Sequence, residues 1–386
     1  MKKFIIIGFV LSLVFGTAAV TSCNGTIEDE DPTNGTPDPP TETFFQPELK
    51  YATTFNIELL ENGCRLITDG EDQQFLLIPQ GIQAPVGYEN TTQINTPVAN
   101  VVLLSSTYGS LLRPFDVFDS IIGVNTIAEN WYVDEIIEGM GSGAIKYIGG
   151  GSEMQAPNYE EIQTLNPDLI FMYVAFADDY TAYETLVGLG LNVVVVNDFN
   201  EEHYLGKVET MKLLATFYDK DEAADTYFSN IESNINATAA IVANITEKPD
   251  VLWGMVFYGT AYIPGNASHV AVMVNNASGN YLFSDLEGPA SSAISIEEVY
   301  ARGLNADVFI YSSSPPYINS IAEVLVGAPI LADLPQVEQG RVWAFQPWYY
   351  QILDKTDEVF ADLAAIVHPE LFPNHTVQHY LLLPLE

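Results

Sequence analysis

The side chains that could do chemistry are few and scattered. Three of the five histidines, His368, His375 and His379, crowd into the C-terminal tail, while His203 and His269 stand far apart. A protein-held metal needs imidazole, thiolate or carboxylate ligands converging on one point, so no metal site is expected. The adjacent Asp178 and Asp179 have the composition for acid-base work, but paired acids in a loop are usually solvated charges. No G-x-S-x-G, H-E-x-x-H or P-loop motif is present. The run Gly149-Gly150-Gly151-Ser152 lacks the lysine and the spacing of a phosphate cradle. The chain therefore reads as a non-enzyme without a cofactor. What it offers instead is aromatic surface, with 21 tyrosines, 20 phenylalanines and 4 tryptophans. Large ligands are held mostly by aromatic and apolar walls with a few polar groups.

Such side chains need elements to place them. From Pro97 onward, short apolar runs alternate with helical patterns. Val98–Leu104, Ser120–Val124, Ala144–Ile148, Pro167–Tyr173 and Asn192–Val196 read as buried parallel strands. After Lys248-Pro249-Asp250 the alternation resumes with Val251–Phe257, Asp307–Tyr311 and Arg341–Phe345, and Asp357–Val367 closes the chain as a helix. Between the halves, Tyr204, Val208, Met211, Leu214 and Tyr218, then Ala224, Tyr227, Ile231, Ile235, Ala239 and Val242, recur at helical steps. This middle predicts a stiff spine of about 60 Å, at 1.5 Å per residue, beside both lobes; an ordinary surface helical hairpin is the alternative. Tyr51–Pro79 predicts a small β-meander at the edge of the first lobe.

The expected fold is α/β: two Rossmann-like lobes joined by a long connecting helix, with a small N-terminal β-meander. Its 386 residues divide as signal peptide 1–22, flexible tether 23–48, first lobe with meander 49–200, connecting helix 201–246 and second lobe 247–386. Met1-Lys2-Lys3 followed by apolar Phe4–Val14 is a secretion signal too short to span a bilayer. It ends in Val20-Thr21-Ser22-Cys23, which resembles a lipobox. Cleavage would leave Cys23 lipidated, anchoring an extracytoplasmic protein to the membrane. The proline-rich stretch that follows cannot bury enough apolar surface to fold. Cys64 is then the sole remaining cysteine, a buried thiol by default.

The formal net charge is −38, and −40 once Lys2 and Lys3 are removed. Such a surface repels nucleic acid. A monomer is expected. Asn-X-Ser/Thr triplets begin at Asn24, Asn34, Asn90, Asn236, Asn244, Asn266, Asn276 and Asn374; taken alone, the motif is weak.

Ligands of open α/β sheets sit at the carboxyl ends of the strands. That nominates Ser106, Thr107, Tyr108, Trp131, Tyr132, Gly150, Met154 and Tyr173 from the first lobe. From the second come Met255, Tyr258, Trp348 and Tyr349. Of the four arginines, only Arg113 lies near such a loop. Strongly anionic chelates need several cations, so a neutral or cationic ligand is favoured.

The two halves echo each other. Ala156–Ile170 and Ser295–Phe309 each run from loop to helix to strand, with glutamates in the helix's first turn, where capping alone would favour them. These stretches, with Val101–Ser106, Ile121–Val124, Gly340-Arg341-Val342-Trp343 and the long middle helix, resemble the class III substrate-binding proteins of ABC importers. The resemblance covers Pro97–Val367. It implies a metal-chelate ligand (a corrinoid or ferric siderophore) held between lobes that close little. It also implies an importer permease as partner, docked through one exposed glutamate per lobe, at Glu160 and Glu297. A surface-anchored hydrolase, or a sensory lipoprotein without an importer, is the competing reading.

Overall fold

The computed structural model describes residues 44–150 and 156–386. The signal, most of the tether, Cys23 and Met154 lie outside the described residues. The chain opens with a small sheet. β1 (Asn56–Leu59), β2 (Arg65–Thr68) and β3 (Gln74–Pro79) form the predicted antiparallel meander. A strand not foreseen, β4 (Thr92–Thr96), joins in parallel beside β3. The sheet is more than an edge decoration, because Ile57, Ile67, Phe75, Leu77 and Ile94 belong to the main core.

The first lobe follows as β5 (Val101–Leu103), α1 (Thr107–Leu112), β6 (Ile121–Val124), α2 (Asp134–Ser142), β7 (Lys146–Tyr147), α3 (Tyr159–Leu165), β8 (Leu169–Met172), α4 (Ala177–Gly188) and β9 (Val193–Val195). The strands are all parallel in the order β7-β6-β5-β8-β9. Pleating sends alternate side chains to opposite faces. Val101, Leu103, Phe171 and Val194 enter the main core, while Val102, Ile170, Met172, Val193 and Val195 pack a second cluster with Ile162 and Leu186. This two-sided burial explains why each strand reads as a continuous apolar run. The small sheet locks to this lobe at β9, where the Asp69 carboxylate accepts from the Val195 amide at 2.9 Å.

The middle is not one continuous spine. α5 (Tyr204–Thr216) and α6 (Asp221–Val242) pack against each other, separated by the polar break that interrupted the sequence pattern. Asp219 takes a left-handed φ of 54° there. Asp221 then accepts from the Thr216 hydroxyl at 2.8 Å and pairs with buried Arg65 at 2.8 Å. The connecting helix is α6, whose 22 residues span about 33 Å. α5 is buried on nearly every side rather than along one stripe. Its buried Glu209 accepts from the backbone amides of Lys50, Tyr51 and Ala52 at 2.7–3.0 Å. Glu201 does the same for Thr53 and Thr54. Residues 50–54 thus form a strap laid across α5.

The second lobe holds β10 (Asp250–Phe257), β11 (Thr260–Pro264), α7 (His269–Asn276), β12 (Asn280–Tyr281), β13 (Ser291–Ile294), α8 (Ile296–Gly303), β14 (Val308–Tyr311), α9 (Ile321–Gly327), α10 (Pro335–Glu338), β15 (Val342–Phe345), α11 (Thr356–Val367) and β16 (Tyr380–Leu382). β12, β10, β14 and β15 are parallel; β11 runs antiparallel to β10, β13 antiparallel to β11, and β16 antiparallel to β15. The chain does not close on a helix, since β16 follows α11 and pairs with β15. Among the described residues no helix is long and apolar enough to cross a membrane.

Candidate functional site

The first strand of each lobe sits inside its sheet, and later strands are added on either side of it. The carboxyl ends at such a switch point form a crevice. A cavity of about 320 Å³ lies between the lobes, lined from the first by Thr107, Asp198 and Phe199 and from α5 by Tyr204 and Lys207. From the second lobe come chiefly Trp253, His269, Met273, Ser312, Phe345 and Tyr349. Its wall is an aromatic cluster. Phe345 and Tyr349 stack at 3.9 Å, and Trp253 lies 6.0 Å from Phe345.

Besides hydroxyl side chains, Asp198, Lys207 and His269 interrupt that wall. Asp198 follows β9 and Lys207 stands in the first turn of α5, their charges 4.0 Å apart. Burial pushes the Asp198 carboxyl up, and Lys207 opposes the shift. His269 is the first residue of α7, behind a Ser268 cap that accepts from the Ala271 amide. Burial, then the Lys207 charge, hold its imidazole well below the usual range, so it is neutral at pH 7. The cavity thus has one compensated ion pair, one neutral imidazole and large apolar area. Among the described residues no group of three or more His, Cys, Asp or Glu is placed to hold a metal.

Of the sequence-nominated residues, Thr107 and Tyr349 line the cavity. Tyr173 supports it from behind, its ring edge-on to Phe199 at 5.9 Å. Several others are corrected. Tyr108 is fully buried and donates its hydroxyl to the Val196 carbonyl at 2.8 Å. Trp131 is 2% exposed and donates to the Thr126 carbonyl. Arg113 pairs with Asp354 at 2.9 Å and donates to the Gln351 carbonyl, so it knits the lobes together. Gln351 in turn donates to the Asn130 carbonyl and accepts from the Tyr132 amide, both at 2.8 Å. The Tyr132 ring meets Trp348 at 6.0 Å, which is a lobe-to-lobe contact as well. Ser106 is half-buried ahead of α1, outside the lining. Gly150 has a φ of 80° and accepts from the Tyr147 hydroxyl. Met255 packs beside Val256, Tyr311 and Leu331, away from the cavity. Tyr258 is 92% exposed at the tip of the β10–β11 hairpin.

Lys207, His269, Asp198, Trp253 and Phe345 were not nominated. Lys207 is a cation beside the apolar stripe of α5, and His269 has no second histidine near it in sequence. A signal for His269 did exist: Gly265-Asn266-Ala267-Ser268 is a loop ending in a cap residue, which places the next side chain at a helix start facing the strand ends.

The two glutamate-bearing helices match in detail. Asn158 caps α3 by accepting from the Glu161 amide, and Ser295 caps α8 by accepting from the Glu298 amide, each at 3.1 Å. Glu160 and Glu297 are exposed. Glu298 is engaged by Arg302 at 2.6 Å.

Residues 101–347 match the family model described as periplasmic binding protein. The chain belongs to the periplasmic binding protein family. As a family member it is 30% identical over 417 aligned positions to an uncharacterized lipoprotein of Methanocaldococcus jannaschii, covering 100% of this chain and 98% of that one. A possible iron-binding periplasmic solute-binding protein from Staphylococcus epidermidis shares the fold at a TM-score of 0.57 and 16% identity, over 71% of this chain and 100% of that one. The periplasmic vitamin B12-binding protein BtuF of Vibrio cholerae does so at 0.52 and 15%, over 72% and 99%. These structures are two-lobed binding proteins, and this periplasmic binding protein has the same α/β architecture.

Proposed function

We propose that this protein is a lipid-anchored extracytoplasmic binding protein that captures a metal chelate between its lobes and delivers it to an ABC importer. The observation that carries the reading is the interlobe cavity, with an aromatic wall and no net charge once Lys207 and Asp198 offset each other. A corrinoid or neutral ferric siderophore complex suits such a lining better than a polyanionic chelate, whose desolvation several cations would have to offset. At about 320 Å³ the cavity is at the small end for ligand sites, so it takes part of a chelate and leaves the rest at its mouth. The solved neighbours named for iron and vitamin B12 support this cargo class. The lipoprotein relative supports a lipidated Cys23. The hydrolase reading loses its acid pair, because Asp179 accepts from the Ala175 and Phe176 amides as a helix cap.

The test is equilibrium binding of Phe44–Glu386 to cyanocobalamin, haem and a panel of ferric siderophores. Trp253 in the cavity wall reports occupancy by fluorescence quenching, and Trp253→Phe should remove most of the signal. Binding of one chelate class is expected; silence across the panel would refute the cargo. In cells, Glu160→Arg with Glu297→Arg should abolish uptake while leaving affinity unchanged, because both glutamates act in permease docking.

A further inference from the structure

Eight of the chain's 25 asparagines begin an Asn-X-Ser/Thr triplet. With 46 serines and threonines in 386 residues, chance would supply about three. Six of the eight fall on described residues, and their surroundings divide them. The Asn266 carboxamide is spent at both ends, donating to the Ser284 carbonyl at 3.0 Å and accepting from the Gly288 amide at 3.2 Å. Asn276 donates to the Tyr204 hydroxyl at 2.9 Å. Asn236 lies inside α6, where residues two apart point to different faces, so the Thr238 hydroxyl cannot sit beside its amide. All six are exposed, so exposure does not divide them. Asn90, Asn244 and Asn374 alone combine a place outside regular helix or strand with a carboxamide that makes no hydrogen bond to a described residue. Turn backbone lets an Asn carboxamide approach the hydroxyl two residues on.

Their placement is selective as well. Asn244 precedes β10, and Asn374 follows α11 beside Phe372, Pro373 and His375. Those residues border a groove at the amino ends of β10 and β14, opposite the strand ends that form the cavity. A bulky polar group there leaves the cleft and the exposed Glu160 and Glu297 clear. Of the two sequons whose side chains are tied up, Asn266 precedes α7 and Asn276 is its last residue, and α7 lines the cavity.

We propose that Asn90, Asn244 and Asn374 are acceptor sites for N-linked glycan, and that Asn236, Asn266 and Asn276 stay bare. In the transfer, the carboxamide nitrogen attacks the anomeric carbon of an oligosaccharide carried on a polyprenyl phosphate. The N–C bond forms, the C–O bond to phosphate breaks, the lipid phosphate leaves with the electron pair, and a transferase base takes the amide proton. The proposal rests on the extracytoplasmic location given above, since lipid-linked donors are used there.

The test is glycopeptide mapping by mass spectrometry of the full-length protein isolated from its native membrane. Glycan on the three turn asparagines is expected, with intact mass falling by one glycan in each of Asn90→Gln, Asn244→Gln and Asn374→Gln. Bare turn asparagines, or glycan on Asn236, Asn266 or Asn276, would overturn it. Purified Phe44–Glu386 incubated with an oligosaccharyltransferase and a polyprenyl-linked oligosaccharide gives a second readout: transfer to the turn sites when folded, and to Asn266 and Asn276 only after unfolding. The chelate-binding assay reports separately on the cargo, so the two readings can fail independently.

Discussion

The Asp354 carboxylate is 2% exposed, and burial pushes its pKa up to about 6 even with the Arg113 guanidinium beside it. Arg113→Ala would strand that charge, and breaking a buried pair from one side costs about 3 kcal/mol. The expected result is a lower melting temperature at alkaline pH, with the deficit shrinking as pH falls toward 6, because without Arg113 the Asp354 carboxyl takes up its proton at a higher pH than in the parent protein. Ligand affinity should change less than stability, because Arg113 joins the lobes rather than lining the cavity. His269 gives the opposite pH signature. Its folded pKa is depressed, so the stability it confers is present above its unfolded value of 6.5 and is lost as pH falls below that value. Urea unfolding at pH 7.5, 6.5 and 5.5 should show this decline, and His269→Phe should flatten it. Residue roles were the least legible part of the sequence. Tyr108 stands one residue into α1 after β5, Trp131 lies in the segment after β6, and Arg113 follows the last turn of α1. Whether a side chain there turns to the cleft, the core or the facing lobe depends on partners such as Val196, Thr126 and Asp354, which lie far along the chain.

Elements were easier to read than residues. β5, β6, β8 and β9 fall inside the apolar runs that predicted them, because two-sided burial writes itself into consecutive residues. β4 was missed because Thr92-Gln93-Ile94-Asn95-Thr96 places only Ile94 in the apolar core. β16 was missed because three residues after a proline-bounded tail carry little periodic signal. The α5–α6 break was visible as Asp219-Lys220-Asp221, but periodicity alone does not say that the chain turns there. A left-handed Asp219 and the Asp221–Arg65 pair make the turn. The strap is the element most exposed to a single change. Glu209→Gln can keep its oxygen on the three backbone N–H groups, but its NH2 then faces the Lys50 amide and the Lys212 ammonium, which loses its counter-charge at 3.2 Å. An unsatisfied buried donor costs about 1–3 kcal/mol. Hydrogen exchange at Lys50–Ala52 should accelerate markedly in this variant, while exchange in β14 stays slow.

On the scale of the whole molecule, 51 acidic residues against 13 basic ones make self-repulsion a global term. Salt screens it over about 10 Å at 0.1 M and about 3 Å at 1 M. The melting temperature of Phe44–Glu386 should therefore rise between 10 mM and 1 M sodium chloride; a flat or falling curve would mean that specific ion pairs dominate instead. The two-lobe plan was legible because each half repeats the same strand-helix grammar, and the charge was legible because it needs no fold. What joins the halves was not, since Gln351 and Arg113 reach partners more than 200 positions away. The strap has one more consequence, and it is mechanical. A protein tethered by its amino end feels drag there first. Residues 50–54 are gripped by Glu209 of α5 and by Glu201 just ahead of it, while Gln46 donates to the Ile57 carbonyl and accepts from the Leu59 amide of β1. A pull at Phe44 is therefore shared between β1 and the strap, and the force needed to unfold the chain from that end is set by the Gln46 bonds together with Glu201 and Glu209.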